Sequence, residues 1–259
     1  MDTEVSAGTV SELADRLRGA RRVVALTGAG VSVASGVPPF RGATPDGTTG
    51  ESVWDRHDPE AFHRRRFEAD PAGFWTDRLD LHETMYGAGI EPNAAHEALV
   101  ELERAGHLDT LVTQNVDGLH SAAGAGDVCR LHGRSDRVAC DDCGRTRPAE
   151  DAFERVREGE CPPTCDCGGV YRPDVVLFGE GLPDEPFDRA QRAARRCDVF
   201  LALGSSLTVR PASLLPEVAA DAGATLVVVN LEETPASKRA EYDLRADVTP
   251  LLARVAERV

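Results

Sequence analysis

Short apolar segments that alternate with helix-length segments are the feature that most restricts the fold of this chain. The apolar segments have the length of buried strands and lie at 22–27, 110–113, 128–131, 199–203 and 225–229. Helical spacing of apolar residues follows at 9–20, 94–105, 117–123, 186–196, 211–222 and 247–258. This order predicts an α/β fold with a doubly wound parallel sheet, whose binding loops lie at the carboxyl ends of the strands.

Two stretches interrupt this alternation. Residues 59–86 have helical spacing with many aromatic side chains, and residues 133–172 are polar, proline-rich and contain five of the seven cysteines. We therefore expect a small domain in two parts, a helical module over 43–92 and a cysteine-bearing module over 133–178. The large domain is then expected to combine residues 1–42, 93–132 and 179–259.

The charge balance limits the possible partners. Asp and Glu number 44 against 29 Lys and Arg, for a net charge of −15. An acidic surface disfavours binding to the phosphate backbone of nucleic acids, which requires a basic footprint. The sequence also has no apolar run long enough to span a membrane and no signal peptide. We therefore expect a cytoplasmic protein that contacts neither nucleic acid nor membrane.

Two glycine loops indicate a nucleotide site. Gly28-Ala29-Gly30 follows the first predicted strand, where backbone amides can approach a phosphate and Ser32 adds a hydroxyl donor. Gly204-Ser205-Ser206 follows another strand, and two such loops in one sheet favour a dinucleotide. A dehydrogenase is disfavoured, because Val33 occupies the position of the third glycine and no acidic residue closes a second strand at the required distance.

Polar side chains follow two further strands. Gln114, Asn115 and Asp117 come after the strand at 110–113, and His132 follows the strand at 128–131. Asp117 can also serve as a helix cap, whereas side-chain amides at a strand end are typical of ligand binding. The pKa of an unperturbed histidine lies near neutral pH. His132, at the mouth of the predicted sheet, is therefore the candidate general base.

The cysteines that cluster between positions 140 and 167 predict one structural zinc ion. Two close pairs of thiolates are typical of a tetrahedral site in a zinc ribbon. Five cysteines compete for four places, and the turn-like Cys-Gly-Gly at 167–169 favours Cys140, Cys143, Cys165 and Cys167. An alternative in which Cys161 replaces Cys165 or Cys167 stays open. Four cysteine ligands leave no open position for catalysis.

Together these motifs resemble those of the sirtuins, NAD-dependent protein-lysine deacylases, of the archaeal or bacterial type. The matching segments run in family order over nearly the whole chain, at 28–32, 36–41, 113–117, 131–133, the cysteine pairs, 173–180 and 204–209. The resemblance implies a Rossmann-like domain and a small domain that is made of a helical module and a zinc ribbon. It also implies that NAD, as a co-substrate, meets an acyl-lysine peptide or protein in the cleft between them.

The resemblance further implies the reaction and its residues. The acyl oxygen attacks the nicotinamide ribose as nicotinamide leaves, and the products are free lysine and O-acyl-ADP-ribose. His132 is implied as general base on the ribose hydroxyls, with Asn115 and Asp117 as further catalytic residues. The implied NAD contacts are Gly28, Ala29, Gly30, Ser32, Phe40, Arg41, Gln114, Asn115, Asp117, Gly204, Ser205, Ser206, Asn230 and Glu232. Val176 and Phe178 are implied to bind the substrate peptide as an added strand.

The acyl group is left open, with deacetylation as the leading interpretation. Sirtuins that prefer succinyl or malonyl lysine carry a Tyr-x-x-Arg pair that binds the acyl carboxylate. Trp75 and Arg78 occupy the corresponding positions here, so both are candidate substrate residues. Arg78 can instead pair with Asp77 or Asp80 on the surface. The NAD loops are also compatible with mono-ADP-ribosyl transfer or with a non-catalytic NAD sensor.

Overall fold

In the computed structural model of the protein, the structure is described for residues 5–40, 52–87 and 89–259. The strands are β1 (Val23–Thr27), β2 (Thr110–Thr113), β3 (Val128–Arg130), β4 (Gly133–Cys140), β5 (Thr146–Pro148), β6 (Tyr171–Val175), β7 (Val199–Leu203), β8 (Thr225–Val229) and β9 (Tyr242–Leu244). The α-helices are α1 (Ala7–Gly19), α2 (Val53–Arg56), α3 (Arg64–Ala69), α4 (Pro71–Tyr86), α5 (Ala94–Arg104), α6 (Leu119–Ala122), α7 (Ala149–Arg157), α8 (Asp184–Ala194), α9 (Leu215–Asp221) and α10 (Val248–Ala256). None of these helices has the length and apolar character that a membrane span requires.

Six strands form a parallel sheet in the order β3-β2-β1-β7-β8-β9. From β1 the chain passes outward through β2 to β3, and it later returns to the other side of β1 to form β7, β8 and β9. The strand order therefore reverses between β1 and β7. Open α/β sheets bind ligands at such a reversal, outside the carboxyl ends of the strands. The predicted doubly wound parallel sheet is thus confirmed.

Helices cover both faces of this sheet, which explains the continuous apolar character of its central strands. Along β1, Val23 and Ala25 belong to one apolar cluster, and Val24 and Leu26 belong to the cluster on the opposite face. Helices α1, α5 and α10 cover the first face, while α8 and α9 cover the second. Because successive side chains of a strand point to opposite faces, the strand buries all of its side chains only when both layers are present.

The sheet contains one strand that the sequence analysis did not predict. Strand β9 has only three residues, with Asp243 at its centre, and it pairs with β8 at the edge of the sheet. A short edge strand needs no continuous apolar segment, so the apolar pattern gave no sign of it. The predicted helix at 211–222 is divided into a 3-10 turn, Ala212–Leu214, and helix α9.

A second, antiparallel sheet has the order β5-β4-β6 and carries the cysteine-bearing segment. Phe67, Phe74 and Trp75 of α3 and α4 share an apolar core with Val138 and Tyr171 of this sheet. The indole nitrogen of Trp75 also donates to the main-chain oxygen of Tyr171 at 2.8 Å. The helical and cysteine-bearing segments, although far apart in the sequence, therefore form one small unit beside the parallel sheet.

Candidate active site

A cavity of about 470 Å³ extends from the carboxyl edge of the parallel sheet to the small unit. Loops after all six strands of the parallel sheet and side chains of the helical segment form its walls. Most of the predicted site residues line it, namely Gly28, Ala29, Gly30, Phe40, Arg78, Gln114, Asn115, His132, Val176, Phe178, Gly204, Ser205, Ser206, Asn230 and Glu232. The fold therefore gathers residues from widely separated segments around one space.

Four predicted site residues require separate mention. Ser32 and Asp117 lie behind the cavity wall and do not line it. Trp75 is fully buried in the core of the small unit, with its ring 5.8 Å from that of Phe153. Trp75 therefore contacts the cysteine-bearing side of the small unit and not the cavity. Arg41 lies outside the described residues.

The two glycine loops contact each other directly. The amide of Gly28 donates to Leu203 O at 3.0 Å, and that of Gly30 donates to Gly204 O at 2.8 Å. A Cβ atom on Gly30 would lie 2.8 Å from the Cα of Gly204. The close contact between the two loops is therefore one reason why positions 28 and 30 are glycine. Of the amides at 28–30, only that of Ala29 has no acceptor within the described chain, so the expected amide contacts with phosphate are reduced to this one.

Ser32 and Asp117 hold Asn115 in place from the side that faces away from the cavity. Its Nδ2 donates to Gly28 O at 3.0 Å and to Ser32 Oγ at 3.1 Å. Ser32 Oγ in turn donates to Asp117 Oδ2 at 2.7 Å, while Asp117 Oδ1 accepts the amide of Leu119 at 2.9 Å. These bonds engage both amide hydrogens of Asn115 with the protein. The side-chain oxygen of Asn115 is therefore the group that it offers to a ligand.

His132 has the protonation state of a general base. Its Nδ1 lies 2.8 Å from the main-chain oxygen of Gln114, and because a carbonyl only accepts, Nδ1 carries the proton. Burial lowers the pKa of His132 below its ordinary value of 6.5, against the opposing effect of the Gln114 bond. The imidazole is therefore neutral at neutral pH, and Nε2 is its free base.

The residues beside His132 fix its position. Gly133 has a φ of +80°, and a Cβ atom there would lie 2.2 Å from Asp174 O, so only glycine lets strand β6 approach. The amide of Val176 donates to His132 O at 3.0 Å. The side chain of Gln114 donates to Ser205 Oγ at 2.8 Å and so links the loops after β2 and β7.

Trp54 joins two walls of the cavity and was not predicted as a site residue. Its ring centroid lies 5.2 Å from that of Phe40, in the loop after β1, and 5.7 Å from that of Phe178, after β6. Trp54 belongs to the four-residue helix α2. A single aromatic residue in so short an element has no periodic pattern that would predict its place in the site.

Arg78 is a buried cation that has no anionic partner among the described residues. Its side chain lines the cavity, the residue is only 7% exposed, and its Nε and Nη2 atoms have no hydrogen-bond partner. Within the described part of the chain, no carboxylate lies within ion-pair distance of it. Asp77 instead faces Arg66 at 3.7 Å, and Asp80 faces His57 at 3.7 Å. The alternative interpretation, in which Arg78 pairs with Asp77 or Asp80 on the surface, is therefore wrong.

The surroundings of Arg78 suit an anionic ligand. Burial lowers the pKa of Arg78, but a guanidinium stays charged in proteins. Tyr86 lines the same cavity, with its buried hydroxyl beside Ser135. A buried charge without a partner lowers the stability of the folded protein by roughly several kcal/mol. A carboxylate that enters this end of the cavity therefore gains a cationic partner with which no described carboxylate of the protein pairs.

The end of the cavity at β8 contains further polar groups. Asn230 Nδ2 donates to the main-chain oxygen of Glu232 at 2.9 Å. Arg210 and Asp247 line the same region and were not predicted. Asp247 caps helix α10 by accepting the amide of Thr249 at 2.8 Å. Asp247 lies directly before helix α10, which follows the end of a strand, and this position is the signal that could have identified it as a site residue.

The four predicted zinc ligands form one cluster. The sulfur atoms of Cys140, Cys143, Cys165 and Cys167 all lie within 4.8 Å of one another. The Cys140–Cys167 and Cys143–Cys165 sulfur distances are 3.5 and 3.8 Å. Tetrahedral zinc with Zn–S bonds of about 2.3 Å separates its sulfurs by about 3.8 Å, so these thiols fit the ion. The thiol of Cys161 donates to Ala72 O instead, so the alternative with Cys161 is wrong.

Comparison with known proteins agrees with this geometry. Residues 28–211 match the model of the Sir2 family. An "NAD-dependent protein deacetylase" of Haloarcula marismortui is 58% identical over 99% of this chain and 96% of its own length. One of Saccharolobus solfataricus is 40% identical over 96% of each chain. A solved structure of Sir2 with a p53 peptide and NAD+ has a TM-score of 0.82 and 34% identity, and the match covers 95% of this chain and 96% of that one. The chain belongs to the Sir2 family.

Proposed function

We propose that this protein is an NAD-dependent protein-lysine deacylase with deacetylation as its main reaction. The observation that carries the proposal is the neutral imidazole of His132, which offers Nε2 to a cavity at the strand-order reversal. A neutral base at this point suits proton removal from a sugar hydroxyl. The names of the relatives support the same activity.

The order of the strands assigns the two ends of NAD. His132 and Asn115 follow β3 and β2, on one side of β1, and are proposed to surround the nicotinamide ribose. Gly204, Asn230 and their neighbours follow β7 and β8, on the other side, and are proposed to hold the phosphates and the adenosine. In this arrangement His132 Nε2 accepts a ribose hydroxyl proton, and the side-chain oxygen of Asn115 orients the sugar or the nicotinamide amide. Ser32 and Asp117 act through Asn115.

The peptide is proposed to bind between the two units, with its acyl-lysine directed into the cavity. The segment 175–180 lines the cavity, and Phe178 is unusually exposed for a large apolar side chain, at 38%. This arrangement suits the addition of the peptide as a strand. We also propose an NAD-binding domain of residues 1–42, 93–132 and 179–259, with residues 43–92 and 133–178 as the small domain. Three apolar clusters each lie within one of these domains and support the division, while a fourth joins Val37 and Leu119 to Phe62 and Leu81 at the boundary.

The zinc ion is proposed to be structural, and the protein cytoplasmic. Four thiolates complete a tetrahedral site, so the ion would fix the loops that flank β4 and β6 and take no part in catalysis. All seven cysteines are free of disulfides. Free thiols and a four-cysteine cluster suit a reducing compartment, which supports a cytoplasmic location.

The direct test measures nicotinamide release with NAD alone, acetyl-lysine peptide alone and both together. We expect release only with both, accompanied by deacetylated peptide and by O-acetyl-ADP-ribose in the mass spectrum. Transfer of labelled ADP-ribose to protein without deacetylated peptide would instead indicate mono-ADP-ribosyl transfer. Binding of NAD without turnover across a panel of acyl peptides would indicate a sensor.

A second candidate activity is the removal of acyl groups that end in a carboxylate, such as succinyl and malonyl. The buried guanidinium of Arg78, whose Nε and Nη2 atoms have no partner among the described residues, favours it. Trp75, in the core, has no part in this activity. The test compares succinyl and acetyl peptides with Arg78→Met. We expect the variant to lose at least about tenfold on the succinyl peptide but not on the acetyl peptide. An unchanged succinyl-to-acetyl ratio would exclude this role.

A further inference from the structure

The segment Phe178-Gly179-Glu180 is attached to the helical part of the small unit through the main chain. The amide of Arg64 donates to Phe178 O at 2.9 Å, and the amide of Phe178 donates to Phe62 O at 3.3 Å. A Cβ atom on Gly179 would lie 2.1 Å from Cε1 of His63. The two segments therefore lie in direct contact at the point where the peptide is proposed to bind.

The side chain of Arg64 connects this contact to the cysteine-bearing loop. Its two terminal nitrogens donate to the two oxygens of Asp141 at 2.6 and 2.7 Å, and its Nε donates to Glu68 at 2.8 Å. Asp141 lies between Cys140 and Cys143 in the sequence. Both partners are about three-quarters buried, with side-chain exposures of 25% and 26%. Bidentate arginine–carboxylate pairs are the strong and geometrically specific kind of ion pair.

A second bidentate pair closes this group of charges. Arg172 donates to both oxygens of Glu180 at 2.6 Å, and one of these oxygens accepts the amide of Leu177 at 2.8 Å. Arg64 lies 3.8 Å from Glu180, and Arg172 lies 3.9 Å from Asp141. Two cations and two anions thus alternate in a partly buried ring. The ring joins the helical segment, the cysteine-bearing loop and the proposed peptide-binding segment.

We propose that Arg64 is a positioning residue for the acyl-lysine peptide. Its main chain holds Phe178, and its side chain is fixed by Asp141, so the binding segment is in place before the peptide arrives. Pre-organisation of a binding segment lowers the entropy lost on association and so increases affinity. The glycine loops proposed to bind NAD belong to the opposite wall, so NAD affinity is independent of this pair. The inference rests on the proposed deacylase activity.

The first test is Arg64→Met, which keeps the aliphatic stem and removes the charge. We expect the KM for an acetyl-lysine peptide to rise about five- to tenfold, which lies within the range of coupling measured for residues in contact. The kcat and the KM for NAD should stay within about twofold of the wild type. Arg65→Met is the matched control, because Arg65 is adjacent, exposed and paired only with Glu60 in the described structure. This control should leave all three constants unchanged.

The second test examines the pair itself. Asp141→Asn should reproduce the increase in peptide KM, and the double variant should be no worse than the more severe single variant, since both remove one interaction. The exchanged pair, Arg64→Asp with Asp141→Arg, should recover part of the loss. Zinc content at one ion per chain and an unchanged melting temperature would show that each variant keeps its fold.

Three outcomes would overturn the inference while the wild type remains active on the peptide. They are an unchanged peptide KM in Arg64→Met, an equal change in Arg65→Met, and a parallel loss in kcat and in both KM values. The last would show a general structural role. A wild type that releases no nicotinamide with NAD and peptide would instead contradict the proposed function. The two failures are therefore distinguishable.

Discussion

The polar side chains on the two walls of the cavity differ in how they are hydrogen-bonded to the protein. On the parallel-sheet wall, Asn115 makes two hydrogen bonds to the protein and His132 makes one to Gln114 O. On the wall formed by the helical segment, Arg78 is buried, and its Nε and Nη2 atoms lack partners in the described structure. The protein thus fixes the orientation of the polar groups on the first wall, whereas the second wall holds a cation for which the described residues supply no anion.

This difference separates reaction chemistry from substrate choice. Groups that act on a transition state work best when the protein already fixes their geometry, because no reorganisation is then needed during the reaction. A buried group without a partner gives no such gain in the free protein and lowers its stability. It does, however, discriminate strongly between ligands that pair with it and ligands that do not. The four predictions below examine each wall in turn.

The largest expected effect concerns the sheet wall. His132→Ala should lower kcat/KM for nicotinamide release by about 10²- to 10⁴-fold, the usual contribution of a general base. NAD binding, measured by calorimetry, should persist because the glycine loops are unchanged. His107→Ala is a suitable control, since His107 does not line the cavity. A His132→Ala variant that keeps more than about a tenth of the wild-type rate would contradict the assignment.

The second effect concerns the small unit behind the helical wall. Removal of zinc by a chelator should lower the melting temperature by about 10 °C, because loss of a structural metal is among the few changes that cost more than about 4 kcal/mol. Cys140→Ser should abolish zinc binding, which is measured by elemental analysis. Cys161→Ser should keep one zinc ion per chain, because its thiol lies outside the cluster. Zinc loss in Cys161→Ser would contradict the ligand set.

The third prediction concerns the buried charge of Arg78 on the helical wall. Arg78→Met should stabilise the ligand-free protein by about 1–3 kcal/mol, because it replaces an unpaired buried charge by an apolar side chain of similar length. Urea unfolding measures this change. Arg157→Met, which removes an exposed cation paired with Glu150 and Glu83, should stay within about 0.5 kcal/mol of the wild type. Destabilisation by Arg78→Met would show that Arg78 has a partner.

The smallest expected effect is the pH dependence of kcat/KM, which reports the protonation of His132 on the sheet wall. The unprotonated imidazole of His132 is the active form, so kcat/KM rises with pH as the proton leaves. Burial lowers this pKa, so the midpoint of the rise should lie below 6.5 and activity should persist in mild acid. The measurement is kcat/KM for the peptide at saturating NAD across the acid limb. A midpoint at or above 6.5 would mean that His132 is solvated or paired with an acid.

Much of the sheet wall was predictable because its signals are local. A strand that ends in glycine or in polar residues can be read from a few neighbouring positions, and parallel strands bring their carboxyl ends to one edge. No comparable local pattern predicts which residues form the helical wall. The sequence pattern assigned Trp75 and Arg78 together to the substrate, yet the rotation of α4 directs Trp75 into the core and Arg78 to the cavity. Tyr86 and Trp54 had no signal at all.

The sequence by itself determined the alternation of strands and helices, the strand-end loops, the family resemblance and the four thiols, because each depends on residue type at short spacing. Only the tertiary structure decided that Ser32 and Asp117 hold Asn115 in place and that Gly28 and Gly30 allow the close approach of Gly204. It also decided that Arg78 is buried with no carboxylate partner in the part of the chain that the structure describes. These properties arise where segments distant in the chain meet. Hydrogen-bond satisfaction, close approach and desolvation belong to such contacts and not to any one segment.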